Sequence, residues 1–297
     1  MRDSYAGVLK LERALVFGGT GQLGTQILRL WNGVECIAPS RAQVDVEDPA
    51  AVEGAIADAK ADVVLNCTAF NDVPRAEKEP RLAFNLNVSA VDAIAQASAK
   101  CGSLFVTFST DYVFDGRADR PYTEDDEPRP INEYGKSKLA GEQRVLDSKQ
   151  RAYVVRTCGL YGTGVSSSKG YTFVQKILEQ GSAGKPLRVV ADQTMSPTFA
   201  GHLALMVRAL IESEAPYGLY HGVNEGSATW YELATEALQQ AGIRANVEAI
   251  SSAEFASSVE RPRYSVLENA RLHALGLAMP SWQEGIAAYL AAKKSEG

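Results

Sequence analysis

The first half of the chain alternates short apolar runs with longer amphipathic segments. The apolar runs have the length of buried strands, and the amphipathic segments have the spacing of helices with one apolar face. The runs predict strands at 14–17, 34–38, 62–66, 104–108 and 152–156, and the segments predict helices at 50–59 and 88–101. This alternation is typical of parallel strands joined by right-handed crossovers, so we predict an α/β fold with a Rossmann-type doubly wound parallel sheet.

The pattern becomes less regular after residue 161. A stretch rich in Gly and Ser at 162–170 follows a strand, which makes it a candidate substrate loop. Residues 1–12 are predicted to form a short extension before the first strand. The remaining pattern predicts helices at 172–180, 197–211, 230–241, 253–259 and 282–292, and strands at 187–190 and 218–223.

Composition narrows the class of protein. Hydrophobic residues make up 45% of the 297 residues and charged residues 22%, which is typical of a globular protein. The net charge of −6 argues against a nucleic-acid-binding face, and no run approaches the about 20 apolar residues of a membrane-spanning helix. The cysteines are scattered, the histidines show no ligand spacing, and the N-terminus lacks a signal-peptide core. We therefore expect a cytoplasmic protein without a metal site, a nucleic-acid partner or a membrane anchor.

A glycine-rich turn follows the first predicted strand. Gly18, Gly21 and Gly24 recur at three-residue spacing between this strand and an amphipathic helix. In a dinucleotide-binding turn, the first glycine permits the tight turn, the second lets the backbone approach a pyrophosphate, and the third lets the helix pack on the strand. The helix N-terminus then offers N–H groups to the phosphates. The spacing predicts a dinucleotide site, with a purely structural glycine turn as the alternative.

Tyr134 and Lys138 lie four residues apart and would share one face of a helix. Combined with a dinucleotide turn, this pair is the arrangement of a hydride-transfer enzyme that uses tyrosine as general acid. A neighbouring ammonium and a cationic nicotinamide would both lower the pKa of the tyrosine. Without the turn, the pair would be an ordinary surface contact.

The geometry of a parallel sheet adds two predictions. Ligands bind at the carboxyl ends of the strands, so Ser109 and Thr110 are placed to hydrogen-bond a substrate carbonyl or only to cap the loop. The second predicted strand runs into Ser40 and Arg41 with no acid at its tip. These residues suit a 2′-phosphate better than a free 2′-hydroxyl, so the sequence predicts NADPH as cofactor, with NADH as the alternative.

Several motifs together resemble the extended short-chain dehydrogenase/reductase family, and within it the dTDP-4-dehydrorhamnose reductases. The resemblance covers nearly the whole chain, and its most specific parts are Ser109-Thr-Asp-Tyr-Val-Phe-Asp-Gly116 and Tyr134-Gly-Lys-Ser-Lys-Leu-Ala-Gly-Glu142. It implies a smaller substrate lobe interleaved with the dinucleotide-binding domain. That division would place 1–156 and about 198–223 in the dinucleotide-binding domain, and about 157–197 and 224–297 in the substrate lobe.

The resemblance also implies roles for individual residues. Tyr134 would protonate the oxygen at sugar C4, Lys138 would lower the tyrosine pKa and hold the nicotinamide ribose, and Thr110 would hydrogen-bond the carbonyl. Tyr112 would contact the sugar. The charge of the chain, apart from the resemblance, adds Arg261 and Arg263 as candidates for the substrate pyrophosphate, because an acidic chain needs local positive groups there. With Gly21, Gly24 and Arg41 from the turn and the strand tip, the expected cofactor contacts are Gly18, Gly21, Gln22, Leu23, Gly24, Arg41, Asp45, Val46, Thr68, Ala69, Tyr134 and Lys138.

The implied activity is the NADPH-dependent reduction of dTDP-4-dehydrorhamnose to dTDP-L-rhamnose. The sequence departs from the family at Gly159, where members often carry Trp, and at Asn71, where Thr is usual. The family's Trp packs near the substrate, and Asn71 lies near the expected active-site mouth, so a related nucleotide-sugar reductase or epimerase is an alternative. A non-catalytic dinucleotide-binding subunit is a third hypothesis, which the intact catalytic residues disfavour. The oligomeric state is open, with a homodimer as one arrangement.

Overall fold

The computed structural model describes residues 11–164, 170–255 and 257–295 of the chain. Six strands join in one parallel sheet, and each strand predicted in the first half of the chain is present. The fold is the predicted Rossmann-type α/β fold. In chain order the strands are β1 Arg13–Phe17, β2 Glu35–Ile37, β3 Val63–Asn66, β4 Leu104–Thr110, β5 Ala152–Thr157, β6 Leu160–Tyr161, β7 Leu187–Val190, β8 Thr194–Met195, β9 Thr198–Phe199, β10 Gly218–His221, β11 Ala228–Thr229 and β12 Val247–Ile250.

Helices cover both faces of this sheet. Alternate residues of each strand point to opposite faces, and they enter two separate apolar clusters. In chain order the helices are α1 Gln22–Leu30, α2 Pro49–Ala59, α3 Val73–Lys78, α4 Pro80–Phe84, α5 Ala90–Lys100, α6 Glu133–Asp147, α7 Phe173–Ser182, α8 Ala200–Glu212, α9 Trp230–Gln240, α10 Ala270–Ala274 and α11 Trp282–Lys294. One cluster packs the sheet against α1 and α8, and the other packs it against α2, α5 and α6.

The strand order is β2-β1-β3-β4-β5-β10, so the chain reverses direction across the sheet at β1. β2 pairs with one edge of β1, and β3 pairs with the other edge. Doubly wound sheets bind ligands at the carboxyl ends of the strands beside such a switch point. This places the expected site where the turn after Phe17 meets the segment after Asn66.

A third apolar cluster lies beyond the carboxyl ends of β4 and β5 and belongs to a second lobe. It combines residues of α7, α9 and α11 with small sheets, in which β6 pairs with β9, β7 with β12, and β8 with β11. The loop Val113–Phe114 joins the same cluster and ties the lobe to the end of β4. The exact boundaries between the two domains stay a prediction.

Some predicted elements differ from the structure. The helix at 253–259 is wrong, because residues 252–255 form a single turn in which Ser251 and Glu254 bond each other's backbone N–H groups. Phe255 is exposed there, so no apolar face exists to extend that turn into a helix. The helix predicted at 197–211 begins only at Ala200, since Thr198–Phe199 pairs with β6. Residues 1–10 of the predicted extension and residues 165–169 of the predicted loop lie outside the described residues.

A π-helical turn, Asn85–Ser89, precedes α5 and was not predicted. The Asn87 side chain bonds the Phe70 backbone and the Ser137 hydroxyl. The backbone carbonyl oxygen of Asn87 packs closely against α6. A Cβ at Gly141 would lie 2.1 Å from that oxygen. The turn therefore fixes the position of α6, the helix that carries Tyr134 and Lys138.

Candidate active site

The glycine-rich turn after β1 has the shape of a phosphate cradle. Gly18 has φ +80°, which favours glycine, and a Cβ at Gly24 would lie 2.3 Å from the Gly18 carbonyl oxygen. Helix α1 begins at Gln22, and no side chain of the described residues caps its N-terminus. The first N–H groups of α1 are thus available to an anion, and the cradle fits a dinucleotide pyrophosphate.

A short segment, residues 162–164, crosses the N-terminus of α1; we call it the strap. The Gln22 amide donates to the Gly164 carbonyl, and Gln26 Nε2 donates to Thr163 Oγ1 at 2.7 Å. A Cβ at Gly164 would lie 2.4 Å from the Gly21 carbonyl oxygen, so only glycine fits this crossing. The strap therefore lies against the first turn of α1, next to the phosphate cradle.

The predicted catalytic residues converge at the carboxyl end of β4. Thr110 ends β4, and α6 brings Tyr134 and Lys138 to it from the side. The Thr110 hydroxyl lies near enough to the Tyr134 phenol to lower its pKa in part, and Lys138 Nζ donates to the Phe108 carbonyl at 2.7 Å. The Tyr112 ring meets the Tyr134 ring edge-on, with centroids 5.6 Å apart. The three side chains therefore face one small volume beside the phosphate cradle.

Burial controls the charges of this group. It raises the pKa of the Tyr134 phenol, an effect that the Thr110 hydrogen bond only partly offsets. Burial lowers the pKa of Lys138 to about 8, although the Glu142 carboxylate raises it in part. The direction for Tyr134 is the opposite of the lowering expected from a neighbouring ammonium, because the loss of hydration on burial is the largest effect on its pKa. A phenol that keeps its proton at neutral pH is suited to donate it.

Asp111 is a functional candidate that our sequence analysis did not single out. Its carboxyl group is 3% exposed, and Asp111 Oδ1 lies 3.0 Å from Thr110 Oγ1. Burial raises the pKa of Asp111, and the nearby Ser265, Cys158 and Thr110 side chains offset part of this rise. The signal was present in the sequence, because Asp111 stands between Thr110 and Tyr112 within the Ser-Thr-Asp-Tyr string.

One cleft of about 370 Å³ gathers most of the predicted site residues. Gly18 and Gly24 shape the turn behind it. Arg41, Asp45 and Val46 do not line the cleft: they lie in the loop after β2, where the exposed Arg41 guanidinium is 3.6 Å from Asp45 and 3.5 Å from Glu47. The predicted residues that line the cleft are Gly21, Gln22, Leu23, Thr68, Ala69, Thr110, Tyr112, Tyr134 and Lys138.

A second cavity of about 590 Å³ adjoins the cleft, and Arg261 lines it together with Arg117 and Arg263. Gln193 lines both spaces. Arg261 Nε is buried and has no hydrogen-bond partner among the described residues. An unpaired buried guanidinium nitrogen is costly, so it marks a place where a ligand could supply the acceptor.

Met195 shapes the wall of the cleft at Gly159, where the sequence lacks the Trp that family members often carry. Gly159 has φ +52°, and a Cβ there would lie 2.7 Å from Met195 Sδ. Met195 therefore occupies the space beside this glycine. Phe173 on α7 and Trp230 on α9 also line the cleft, with ring centroids 4.8 Å apart. Aromatic side chains therefore enter the cleft from these two helices and not from position 159.

The fold and the cleft together define an α/β protein of the dinucleotide-binding Rossmann type. The model of the RmlD substrate binding domain family matches residues 12–295 of the chain. The chain therefore belongs to the RmlD substrate binding domain family.

Individual relatives agree with this assignment. The chain is 39% identical to a dTDP-4-dehydrorhamnose reductase from Streptomyces griseus, over 89% of this chain and 88% of that protein. It is 36% identical to a probable dTDP-4,6-dihydroxy-2-methyloxan-3-one 4-ketoreductase from Streptomyces antibioticus, over 92% and 93%. The crystal structure of a dTDP-4-dehydrorhamnose reductase from Bacillus anthracis in complex with NADP matches with a TM-score of 0.90 and 34% identity, over 95% of this chain and 99% of that one.

In the described part of the chain, no group of His, Cys, Asp and Glu side chains could hold a metal ion. Within the same residues, every helix is too short or too polar to cross a bilayer.

Proposed function

We propose that the protein is an NADPH-dependent reductase that converts the C4 ketone of dTDP-4-dehydrorhamnose into the alcohol of dTDP-L-rhamnose. The observation that carries this proposal is the convergence of Thr110, Tyr134 and Lys138 beside the uncapped N-terminus of α1. The family and the named relatives support the same reaction.

The chemistry follows from the protonation states of the side chains. When bound, the nicotinamide supplies a hydride to the carbonyl carbon. Tyr134 donates its phenolic proton to the carbonyl oxygen, which yields a neutral alcohol and leaves a phenolate to be reprotonated. Thr110 hydrogen-bonds the same oxygen, and the Lys138 ammonium binds the ribose hydroxyls next to Tyr134. Burial keeps the proton on Tyr134 until the ketone accepts it.

The cofactor would be held by the cradle and by the loop after β2. The α1 N-terminus receives the pyrophosphate, with Gly18, Gly21 and Gly24 permitting the approach of the backbone. Gln22, Leu23, Thr68 and Ala69 line the cleft around the nicotinamide half.

The 2′-phosphate of NADPH would lie beside the loop after β2. Val46 is buried there and would offer an apolar surface to the adenosine, while the Arg41 guanidinium would donate to the phosphate in place of its contacts with Asp45 and Glu47. The phosphate would replace the Asp45 and Glu47 carboxylates as partner of Arg41, so the loss of these two contacts would weaken its binding.

The substrate would extend from the cleft into the second cavity. Its sugar ketone meets Tyr134 and Tyr112, and its diphosphate reaches the Arg261 guanidinium, whose Nε lacks a partner among the described residues. Arg117 and Arg263 add positive charge around the same cavity.

A second candidate function is the reduction of a different nucleotide-linked keto sugar. Met195 fills the space beside Gly159, and Phe173 and Trp230 line the same cleft, so these side chains set the outline of the sugar pocket. The Streptomyces antibioticus relative carries a name for a different 4-ketoreductase substrate. An epimerase would use the same fold but would return the cofactor to its starting state.

The test is to follow loss of NADPH absorbance with dTDP-4-keto-6-deoxy-L-lyxo-hexose generated enzymatically in place. We expect net NADPH consumption and a dTDP-L-rhamnose product identified by chromatography and NMR. Product formation without net NADPH loss would identify an epimerase. NADPH binding without any turnover would favour another keto sugar or a non-catalytic role.

The substitution Tyr134→Phe removes the proposed proton donor and leaves the ring in place. We expect kcat to fall by about 100-fold or more, while the dissociation constant of NADPH stays nearly unchanged. Steady-state kinetics and fluorescence titration with NADPH measure the two effects. Tyr217→Phe, at an exposed tyrosine outside the cleft, is the matched control and should leave kcat unchanged. Full activity of Tyr134→Phe would refute the general-acid role.

The substitution Arg41→Ala tests the cofactor preference. We expect NADPH binding to weaken by about tenfold and NADH binding to stay the same, because an exposed guanidinium gives only a modest charge-assisted hydrogen bond. Comparing kcat/KM for the two cofactors measures the effect. Arg244→Ala, an exposed arginine in the other lobe, should change neither value. An unchanged NADPH preference in Arg41→Ala would exclude this residue from the phosphate site.

Two further predictions concern the protein in the cell. The homodimer and the cytoplasmic location stay predictions. Sedimentation of the purified protein and fractionation of cells would test them separately.

A further inference from the structure

Two aromatic side chains of the second lobe line the cleft and contact each other. Phe173 is the first residue of α7, and Trp230 is the first residue of α9. Their rings meet edge to face, with centroids 4.8 Å apart and an angle of 64° between the ring planes. Both side chains are only partly buried, so the pair presents aromatic surface to the cleft.

Hydrogen bonds at the two helix starts hold these rings in place. Ahead of α7, Thr172 Oγ1 accepts from the Gln175 N–H at 3.1 Å. Ahead of α9, Thr229 and Glu232 form a capping box, in which each side chain accepts from the backbone N–H of the other. Such caps fix the first residue of a helix. The aromatic pair is therefore positioned by the protein itself.

The aromatic pair continues a wall that begins beside the catalytic residues. Thr157 at the end of β5 pairs with Thr110 at the end of β4. Two residues further along, Gly159 packs against Met195, because a Cβ there would lie 2.7 Å from Met195 Sδ. Met195 lies on β8, which pairs with β11 directly ahead of Trp230. The wall thus runs from the catalytic Thr110 through a thioether to an indole.

The far end of this wall meets the second cavity. Thr194 pairs with Thr229, the residue before Trp230. Its neighbour Gln193 lines both the cleft and the second cavity, in which we place the substrate diphosphate. Trp230 therefore lies between the catalytic end of the cleft and the passage to the diphosphate, which is the interval that the sugar must span.

We propose that Trp230, supported by Phe173, is a substrate-binding residue whose indole packs against the apolar face of the deoxy sugar. This inference rests on the proposed function, because its ligand is the 4-keto-6-deoxy sugar of that reaction. The sugar has a methyl group on C5, next to the ketone, and C–H groups on its ring. Aromatic rings carry a negative face that attracts such C–H groups, and binding clefts commonly use aromatic walls for apolar parts of a ligand.

The cofactor is expected to bind other parts of the cleft. The lining residues assigned to it, Gly21–Leu23 and Thr68–Ala69, come from the first lobe. Phe173 and Trp230 pack on the apolar cluster of the second lobe. Loss of the indole should therefore weaken the binding of the sugar nucleotide and leave the binding of NADPH unchanged.

Tryptophan fluorescence tests the contact directly. The chain has three tryptophans, all within the described residues, and Trp31 and Trp282 are only 2% and 8% exposed and do not line the cleft. Adding dTDP-L-rhamnose to the protein saturated with NADP⁺ should therefore change the emission through Trp230. Adding dTDP, which lacks the sugar, should change it much less. Trp230→Phe should abolish the response to dTDP-L-rhamnose.

Trp282→Phe is the matched control, because Trp282 also begins a helix behind a capping box, formed by Ser281 and Glu284. This variant should keep the emission change, and calorimetry measures the binding of both ligands in parallel. Bound dTDP-L-rhamnose that leaves the emission unchanged, or changes it equally in Trp230→Phe, would overturn the inference. An equal response to dTDP would place the nucleotide and not the sugar at Trp230, which also overturns it. If neither ligand binds, the proposed function itself is refuted.

The wild type can be tested without any substitution, should Trp230→Phe fail to fold. Protein labelled with 5-fluorotryptophan gives one ¹⁹F resonance for each tryptophan, and a soluble paramagnetic agent identifies Trp230 as the most accessible of them. We expect dTDP-L-rhamnose to shift this resonance more than dTDP does. Equal shifts, or no shift with bound ligand, would contradict the inference.

Steady-state kinetics separate contact with the substrate from support of the fold. Trp230→Ala should raise KM for the dTDP-linked ketone by about tenfold and leave kcat within about threefold, because it removes binding that ketone and transition state share. Trp230→Phe keeps an aromatic ring and should raise KM by only about twofold. KM for NADPH should stay the same in both variants. Equal effects of the two substitutions, or a matching rise in KM for NADPH, would indicate a structural role and refute the inference.

Discussion

The Lys138 side chain is buried at the base of the cleft, and its ammonium donates to the Phe108 carbonyl at 2.7 Å. Burial lowers its pKa to about 8, so the neutral amine becomes the major form above that pH. This single residue makes the proposed site sensitive to pH in a range where the Tyr134 phenol stays neutral.

We expect kcat/KM to fall as the pH rises through about 8, because the free protein then loses the ammonium that binds the ribose. In Lys138→Arg this falling limb should move to higher pH, since a guanidinium keeps its proton. The pH profile of kcat/KM for NADPH, recorded at one fixed concentration of sugar nucleotide, measures the falling limb in the wild type and in the variant. A falling limb at the same pH in the variant would assign it to another group.

At the scale of elements, the site depends on close contact between backbone segments. The strap crosses the N-terminus of α1 at Gly164, and the π-helical turn Asn85–Ser89 meets α6 at Gly141. Both contacts require a glycine, because a Cβ would meet a backbone carbonyl oxygen that cannot move aside. They fix the cofactor cradle and the catalytic helix relative to the sheet.

The substitution Gly164→Ala should push the strap away from α1. Its Cβ would lie 2.4 Å from the Gly21 carbonyl oxygen and 2.7 Å from Thr25 Oγ1. We expect NADPH to bind at least about tenfold more weakly, a loss of ~1.4 kcal/mol, measured by calorimetry. Gly54→Ala in α2 is the control, because no atom lies within 4 Å of its Cβ, and it should stabilise the protein slightly without changing NADPH affinity. Wild-type affinity in Gly164→Ala would show that the strap does not restrain the cradle.

At the scale of the whole molecule, a buried ion pair joins α6 to the central sheet. Arg156 on β5 binds the Glu142 carboxylate through two nitrogens, with distances of 2.9 and 2.7 Å. The two side chains are 3% and 2% exposed, and the Arg156 guanidinium also lies over the Phe114 ring of the second lobe. The pair therefore connects α6 with the sheet, and through Phe114 it also contacts the apolar cluster of the second lobe.

The substitution Glu142→Gln leaves Arg156 with an uncompensated buried charge. We expect the free energy of unfolding to fall by about 3–5 kcal/mol, measured by urea denaturation. The double change Glu142→Gln with Arg156→Met should cost less than Glu142→Gln alone, because it removes the unpaired charge. Glu212→Gln, which breaks the more exposed pair with Arg208, should cause only a small fraction of that loss. Similar losses at the two sites would show that burial does not strengthen the first pair.

The sequence by itself determined the sheet, the glycine turn and the Tyr134–Lys138 pair, because strand alternation, glycine spacing and the i,i+4 spacing of a helix are local patterns. It also gave the correct family. Local pattern could not exclude the helix at 253–259, where the Phe255 side chain is 54% exposed and residue 256 lies outside the described residues.

Only the tertiary structure decided which residues meet across long separations in the chain. It brought Cys158 and Ser265 to Asp111, placed Met195 beside Gly159, and laid the strap over α1. It also showed that burial raises the Tyr134 pKa and that Arg41 has acidic neighbours. These properties depend on packing and on distance between side chains from different elements, and no spacing along one strand or helix encodes them.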